Sequence, residues 1–106
     1  MEILFVKVVL TTNLEIGNFN HINLNCTVGH DVQFHDYITV YPGVNISGNV
    51  RINDCVEIGT GTKIIQGKEI VKETVIGAGS VVVKDIVENG NTTGTIFYND
   101  RDLYGK

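Results

Sequence analysis

The stretch Ile46-Ser-Gly-Asn-Val-Arg-Ile52-Asn-Asp-Cys-Val-Glu-Ile58-Gly-Thr-Gly-Thr-Lys-Ile64-Ile-Gln-Gly-Lys-Glu-Ile70 decides the fold, because isoleucine returns in it at every sixth residue. Extending the step gives Leu4, Leu10, Ile16, Ile22, Val28, Phe34 and Val40 before it, then Ile76 and Val82 after it: fourteen positions in all, none of them polar. If about a third of residues were large and apolar, chance would produce such a run roughly once in a million sequences. No segment holds apolar residues at i, i+3, i+4 and i+7 through three turns, so helix is not the expected element. A short fixed period of this kind belongs to a solenoid of stacked units.

A second register lies four residues after the first, at Val8, Leu14, Asn20, Cys26, Val32, Ile38, Val44, Val50, Val56, Thr62, Lys68, Thr74 and Ser80. It is mostly small or apolar. Glycine follows the aliphatic position at Gly17, Gly29, Gly59 and Gly77, which predicts turns with positive φ there. The pattern resembles the hexapeptide repeat, [Leu/Ile/Val]-Gly-x-x-x-x. That resemblance covers residues 4 to 84 and implies an all-β fold, a single-stranded left-handed parallel β-helix with three hexads per coil. The expected organisation is a β-helix domain over 1–84, about four to five coils, and a C-terminal tail or cap over 85–106 that carries Ile96, Phe97, Tyr98 and Tyr104. In such a solenoid one aliphatic residue per strand points inward and coils stack at roughly 4.8 Å. The end coils and the outer Val, Ile and Tyr residues then want partners, and the family's usual assembly is a homotrimer.

The composition agrees with a small globular domain. The chain has 106 residues, 42% of them hydrophobic and 19% charged, with twelve glycines against one proline. Val, Ile, Thr and Asn abound, as in a β-rich chain with many turns. A net charge of −4 with the eight basic residues scattered singly offers no footprint for a nucleic-acid backbone. No apolar run approaches the roughly 20 residues of a spanning helix, so no membrane partner is expected. The apolar stretch from Ile3 to Leu10 has Glu2 where a signal peptide carries basic residues, and Lys7 interrupts it. A cytoplasmic protein is expected. Cys26 and Cys55 stand in different registers and are not separated by whole coils, so they are read as packing residues without a disulfide.

Eighteen residues per coil sort the turn residues into columns. His30, Gly48 and Gln66 share one; Asn23, Tyr41, Gly59 and Gly77 share another; His35, Asn53 and Val71 share a third. Around His30 the chain reads Asn23-Leu-Asn-Cys-Thr-Val-Gly-His30-Asp31, followed by Tyr41-Pro-Gly-Val-Asn-Ile-Ser-Gly48, Ile58-Gly-Thr-Gly-Thr and Ile76-Gly-Ala-Gly-Ser. These segments resemble the sialic acid O-acetyltransferases and the bacterial UDP-4-amino-sugar N-acetyltransferases. The resemblance implies transfer of acetyl from acetyl-CoA to a sugar or nucleotide-sugar acceptor, with the coenzyme in the groove between neighbouring subunits. It implies His30 as general base, with Asp31 and Asn23 matching the family's acidic and asparagine positions, and Thr60, Gly61, Ala78 and Gly79 as a side-chain-poor track for the coenzyme.

The chemistry suits those residue types. An imidazole is available as a base at neutral pH, a carboxylate holds its tautomer, and a backbone N–H at Gly48, one coil from His30, suits an oxyanion. Direct transfer needs no nucleophilic cysteine, and Cys26 is expected inside. His21 and His35 are expected as solvent or interface residues.

Two departures from the family stand out. Family members carry a small Rossmann-like domain before the β-helix, whereas Met1 here opens almost directly on the first hexad; a separate acceptor-binding polypeptide, or neighbouring subunits, would then hold the acceptor. After the last coil, Gly94-Thr-Ile-Phe97 stands where the family commonly has Gly-x-Pro-Ala.

Two alternatives remain open from the sequence. Val28-Gly-His30 with His35 also resembles the γ-class carbonic anhydrases, in which a third histidine completes a zinc site; His21 is the only other histidine and lies off the expected column. The other is a non-catalytic trimeric scaffold or pseudoenzyme. An ice-binding surface is not expected, since Thr60 and Thr62 face Ala78 and Ser80 one coil on.

Overall fold

A computed structural model describes residues 3–4, 9–87 and 90–92, with side chains over 10–87. Each described hexad contributes one short strand, and the strands stack into three parallel sheets. The first face is built from Ile3–Leu4, Asn20–Ile22, Thr39–Val40, Glu57–Ile58, Thr74–Ile76 and Gly90–Thr92. The second holds Val9–Leu10, Thr27–Val28, Asn45–Ile46, Lys63–Ile64 and Val81–Val82, and the third holds Glu15–Ile16, Gln33–Phe34, Arg51–Ile52 and Glu69–Ile70. Thr39 pairs with Glu57 and Gln33 with Arg51, so one coil is eighteen residues, as the period predicts. The chain is a three-faced β-helix, and helix is absent among the described residues.

The six-step register forms the interior. Ile22, Val28, Phe34, Val40, Ile46, Ile52, Ile58, Ile64, Ile70, Ile76 and Val82 are all 3% exposed or less, and each such side chain stabilises the stack by about 1.5–3 kcal/mol. The second register also points inward. Its buried polar members are satisfied: Asn20 Oδ1 accepts the Ile38 N–H at 2.8 Å while its Nδ2 donates to His35 O at 2.9 Å, and the Thr62 and Ser80 hydroxyls both donate to Gly77 O. No buried side-chain nitrogen or oxygen among the described residues lacks a partner.

The corners correct one expectation. Positive φ does not fall on Gly17, Gly29, Gly59 and Gly77 but two residues later in each hexad, at Asn13, Phe19, Asn25, Asp31, Tyr37, Gly43, Asn49, Cys55, Gly61, Gly67, Glu73 and Gly79. Glycine follows the aliphatic residue for lack of space instead. A Cβ on Gly59 would meet Ile76 O at 2.6 Å, one on Gly29 would meet Gly48 N at 2.7 Å, and one on Gly17 would strike the His35 carbonyl of the next coil. The left-handed residues are Asn, Asp or Gly at two corners, which tolerate that region readily. At the third corner they are Phe19, Tyr37, Cys55 and Glu73.

The corner between the first and second faces is the glycine corner, with Gly43, Gly61 and Gly79. That between the second and third is the histidine corner, with His30 and Gly48. That between the third and first is the aromatic corner, where the exposed rings of Phe19 and Tyr37 stack with centroids 5.2 Å apart.

The ladder runs on past Lys84. Ile86 is buried and bridges Ile70, and Gly90–Thr92 pairs with Thr74–Ile76. The expected cap residues Ile96, Phe97, Tyr98 and Tyr104, and the Gly94–Phe97 segment, lie outside the described residues.

Candidate active site

The histidine corner is stitched to both neighbouring coils. Asp31 N–H donates to Thr12 O at 3.0 Å, and Asn49 N–H donates to His30 O at 2.9 Å. The left-handed φ of 57° at Asp31 turns its side chain back onto its neighbour, and Asp31 Oδ2 stands 3.0 Å from His30 Nδ1. A carboxylate accepts, so Nδ1–H is the donor of this contact, and in the neutral imidazole that tautomer leaves the Nε2 lone pair free. Both side chains are about half exposed.

The imidazole lies against Gly48 one coil on. A Cβ there would stand 2.6 Å from Nε2, 2.8 Å from Cε1 and 3.0 Å from Cδ2, so only glycine leaves room for the ring. Gly48 is itself buried. Among the described residues no acceptor takes up its N–H, although neighbouring amides Ser47 and Asn49 are both paired. An imidazole and an open N–H donor therefore share this corner, an arrangement that can serve proton abstraction and oxyanion stabilisation.

The other expected site residues lie elsewhere in the chain. Thr60, Gly61, Ala78 and Gly79 stack on the glycine corner, and the second face separates them from His30 within one molecule. Nothing within 4 Å would meet a Cβ on Gly61 or Gly79, so this corner is open to solvent. Asn23 adjoins the same corner, where its Nδ2 donates to Val40 O at 2.8 Å. Asn53 makes the equivalent bond to Ile70 O before the aromatic corner, so this contact is a recurring stitch between coils.

The remaining histidines and the cysteines do not join the site. His35 faces Asp54 at 3.9 Å on the aromatic corner, and His21 is exposed on the first face. No group of three or more His, Cys, Asp or Glu among the described residues converges as a metal site. Cys26 is buried and Cys55 exposed. Burial pushes the Cys26 thiol up from its ordinary value, against hydrogen bonds that lower it, and its Sγ–H donates to Tyr41 O at 3.1 Å. It is a protonated interior thiol, not a nucleophile.

Sequence reasoning missed a polar cleft of about 260 Å³ that starts at Asp31 and runs along the third face past Gln33, Asn49 and Arg51 to Lys68 and Glu69. The signal was there in the second register, where Lys68 is the one charged residue.

The fold and its repeat define the class: this chain is a left-handed β-helix of hexapeptide repeats, and the proteins it is similar to are acetyltransferases. It is 43% identical to the GDP-perosamine N-acetyltransferase of Escherichia coli O157:H7 over 72 residues, which make up 68% of this chain and 32% of that enzyme. The solved structure of WeeI from Acinetobacter baumannii AYE superposes with a TM-score of 0.78 at 32% identity, covering 89% of this chain and 52% of that one. The acetyltransferase domain of PglB from Neisseria gonorrhoeae FA1090, solved with acetyl coenzyme A, shares the fold with a TM-score of 0.74 at 24% identity, covering 87% of this chain and 54% of that one. The chain thus spans about half the length of these proteins or less. No family model matches it, and no helix among the described residues is long and apolar enough to cross a membrane.

Proposed function

We propose that the chain is an acetyl-CoA-dependent acetyltransferase acting on an amino or hydroxyl group of a sugar or nucleotide-sugar acceptor. The observation that carries this reading is the placement of His30 Nε2 against Gly48, with Asp31 on Nδ1. Similarity to acetyltransferases supports it, among them a fold likeness to a domain solved with the coenzyme. The acceptor nucleophile attacks the thioester carbon while Nε2 takes its proton. The Gly48 N–H receives the negative oxygen of the tetrahedral intermediate, and Asp31 favours the imidazolium. Collapse breaks the carbon–sulfur bond, and the leaving thiolate recovers the proton from His30. No acyl-enzyme forms.

Within one molecule the glycine corner faces away from His30. A homotrimer would resolve this by setting the glycine corner of one subunit, with Thr60, Gly61, Ala78, Gly79 and Asn23, across from the histidine corner of the next. The coenzyme would then lie between two subunits, its narrow pantetheine arm against the residues that lack side chains. Acetyl-CoA is an intracellular donor, in keeping with the cytoplasmic location expected from the sequence.

Isothermal titration with acetyl-CoA, beside sedimentation of the same sample, tests the reading. Binding in the micromolar range by a trimer is expected. His30→Ala should keep that binding and lose about 10²–10⁴-fold in transfer rate. Failure of the wild-type chain to bind acetyl-CoA, or a wild-type rate in His30→Ala, would overturn it.

A further inference from the structure

The glycine corner is not bare along its whole length. From one coil to the next its residues read Asn23-Leu24-Asn25, Tyr41-Pro42-Gly43, Gly59-Thr60-Gly61 and Gly77-Ala78-Gly79. In the last two of these turns the largest side chain is that of threonine, and a Cβ on Gly61 or Gly79 would meet nothing within 4 Å. In the two turns below, Leu24 and Tyr41 stand out as exposed large apolar residues, 44% and 39% accessible. An open strip thus runs down the upper coils and ends at the Tyr41 ring. That ring is tied in place. Tyr41 N–H donates to Ile58 O at 2.9 Å, Tyr41 O accepts the Cys26 Sγ–H at 3.1 Å, and the phenol donates to Glu57 Oε1 at 3.5 Å. Glu57 belongs to the coil that carries Gly59, so the ring leans toward the coil where the open strip begins.

Height along the stack says what would meet the ring. Coils rise by about 4.8 Å per eighteen residues, so Tyr41 stands about 3 Å and Gly48 about 5 Å above His30. In the trimer proposed above, with the threefold axis along the stack, equivalent residues of neighbouring subunits stand at equal height. The Tyr41 ring of one subunit then falls at the level of the Nε2–Gly48 pair of the next. A coenzyme arm lying on the open strip would bring its thioester to that pair where the strip ends, with the acyl group against the ring. We propose that Tyr41 fixes the acyl chain length: its ring closes the strip just beyond the thioester, which admits acetyl and rejects chains with further methylenes. This rests on the acyl-transfer reading, within which Tyr41 determines specificity and takes no part in proton transfer.

Calorimetric titration of the whole chain with CoA, acetyl-CoA and butyryl-CoA tests the inference without an acceptor. The wild type should bind butyryl-CoA about tenfold or more weakly than acetyl-CoA, the discrimination that extra methylenes against a closed wall supply. Tyr41→Ala should bring butyryl-CoA to within about threefold of acetyl-CoA and leave the affinity for CoA unchanged. Tyr41→Phe keeps the ring and should keep the wild-type order. The ring is partly exposed and the main-chain bonds at this position do not depend on it, so these variants should fold. Tyr41→Val, still apolar but shorter, should shift the preference in the same direction as alanine and serves where the alanine chain is unstable.

A wild type that binds butyryl-CoA as tightly as acetyl-CoA, or a preference unmoved by both Tyr41→Ala and Tyr41→Val, would overturn the inference and leave the acyl-transfer reading standing. A Tyr41→Ala chain that loses affinity for all three ligands alike would also overturn it, since the ring would then be holding the coenzyme arm. A wild type that binds none of the three would overturn the acyl-transfer reading and the inference with it.

Discussion

Gly48→Ala separates the chemistry from the fold. The new methyl would stand 2.6 Å from His30 Nε2, and ordinary contact begins near 3.4 Å, so the ring must withdraw. Its three nearest atoms all belong to the imidazole, which is 53% exposed and free to swing outward. Gly48 does not have a left-handed φ, so alanine fits its backbone. The fold should therefore lose less than about 1 kcal/mol. The base, however, is displaced by roughly an ångström, and a misplacement of that size costs about 10²-fold in rate, or close to 2.7 kcal/mol of transition-state stabilisation.

Gly29→Ala is the contrast. Its methyl would meet Gly48 N at 2.7 Å and Ser47 C at 2.8 Å, backbone atoms that cannot swing away, so about 1–3 kcal/mol of stability should go. The assays are thermal unfolding at matched concentration and initial rates of thiol release from acetyl-CoA with whichever sugar the wild type turns over fastest. A Gly48→Ala variant with wild-type kcat and wild-type Tm would refute the claim that the Nε2–Gly48 juxtaposition matters.

Ile52→Asn should cost about 3 kcal/mol or more in chemical denaturation, because Ile52 is fully buried and the amide would find no partner there; an unchanged midpoint would contradict the repeat phase. Iodoacetamide should modify exposed Cys55 in the native chain and buried Cys26 only on unfolding, read by mass spectrometry. The raised pKa of Cys26 has a defined sign: its contribution is complete below the ordinary thiol value of 9.0 and falls as pH rises from there through the folded value. The stability gap between wild type and Cys26→Ala should accordingly narrow above pH 9, and a constant gap would show that the thiol does not titrate differently in the folded chain.

The fold was legible because one physical constraint repeats. Each strand must bury one large aliphatic side chain, so Ile46, Ile52, Ile58, Ile64 and Ile70 announce the period. The reason for glycine was not legible from the same pattern. Gly59 is small because Ile76 O of the next coil lies where its Cβ would be, a contact seventeen residues away, while the left-handed corner falls two residues later and admits Tyr37 and Cys55. Of the candidate site, the stacking of His30 on Gly48 was legible from the coil length, while the roles expected of His30 and Asp31 came from the family resemblance. The division of the remaining candidates between two corners was not legible, since a column assignment says which residues stack and not which corners two molecules bring together. Lys68 was visible as a charge in an apolar register, whereas the cleft that it lines was not.

The open amide at Gly48 is itself a consequence of which side chains stand one coil on. At the aromatic corner the same backbone position is closed by a carboxylate in two coils: Asp36 Oδ1 accepts the Asn18 N–H at 2.7 Å, and Asp54 Oδ1 accepts the Asp36 N–H at 2.9 Å, each from eighteen residues along. At the histidine corner the residue eighteen beyond Gly48 is Gln66, and no such bond forms among the described residues. Gln66→Asp should therefore build the missing cap and place its carboxylate where the developing oxyanion would sit. The native state should gain about 0.5–1.5 kcal/mol from the new bond, while transfer falls about 10²–10³-fold through loss of the donor and repulsion of the negative charge. Gln66→Ala, which offers no acceptor, should leave both quantities near wild type. A Gln66→Asp chain that melts higher and still transfers acetyl at the wild-type rate would show that the Gly48 N–H is not the oxyanion donor, and the chemistry at this corner would have to be rebuilt around His30 alone.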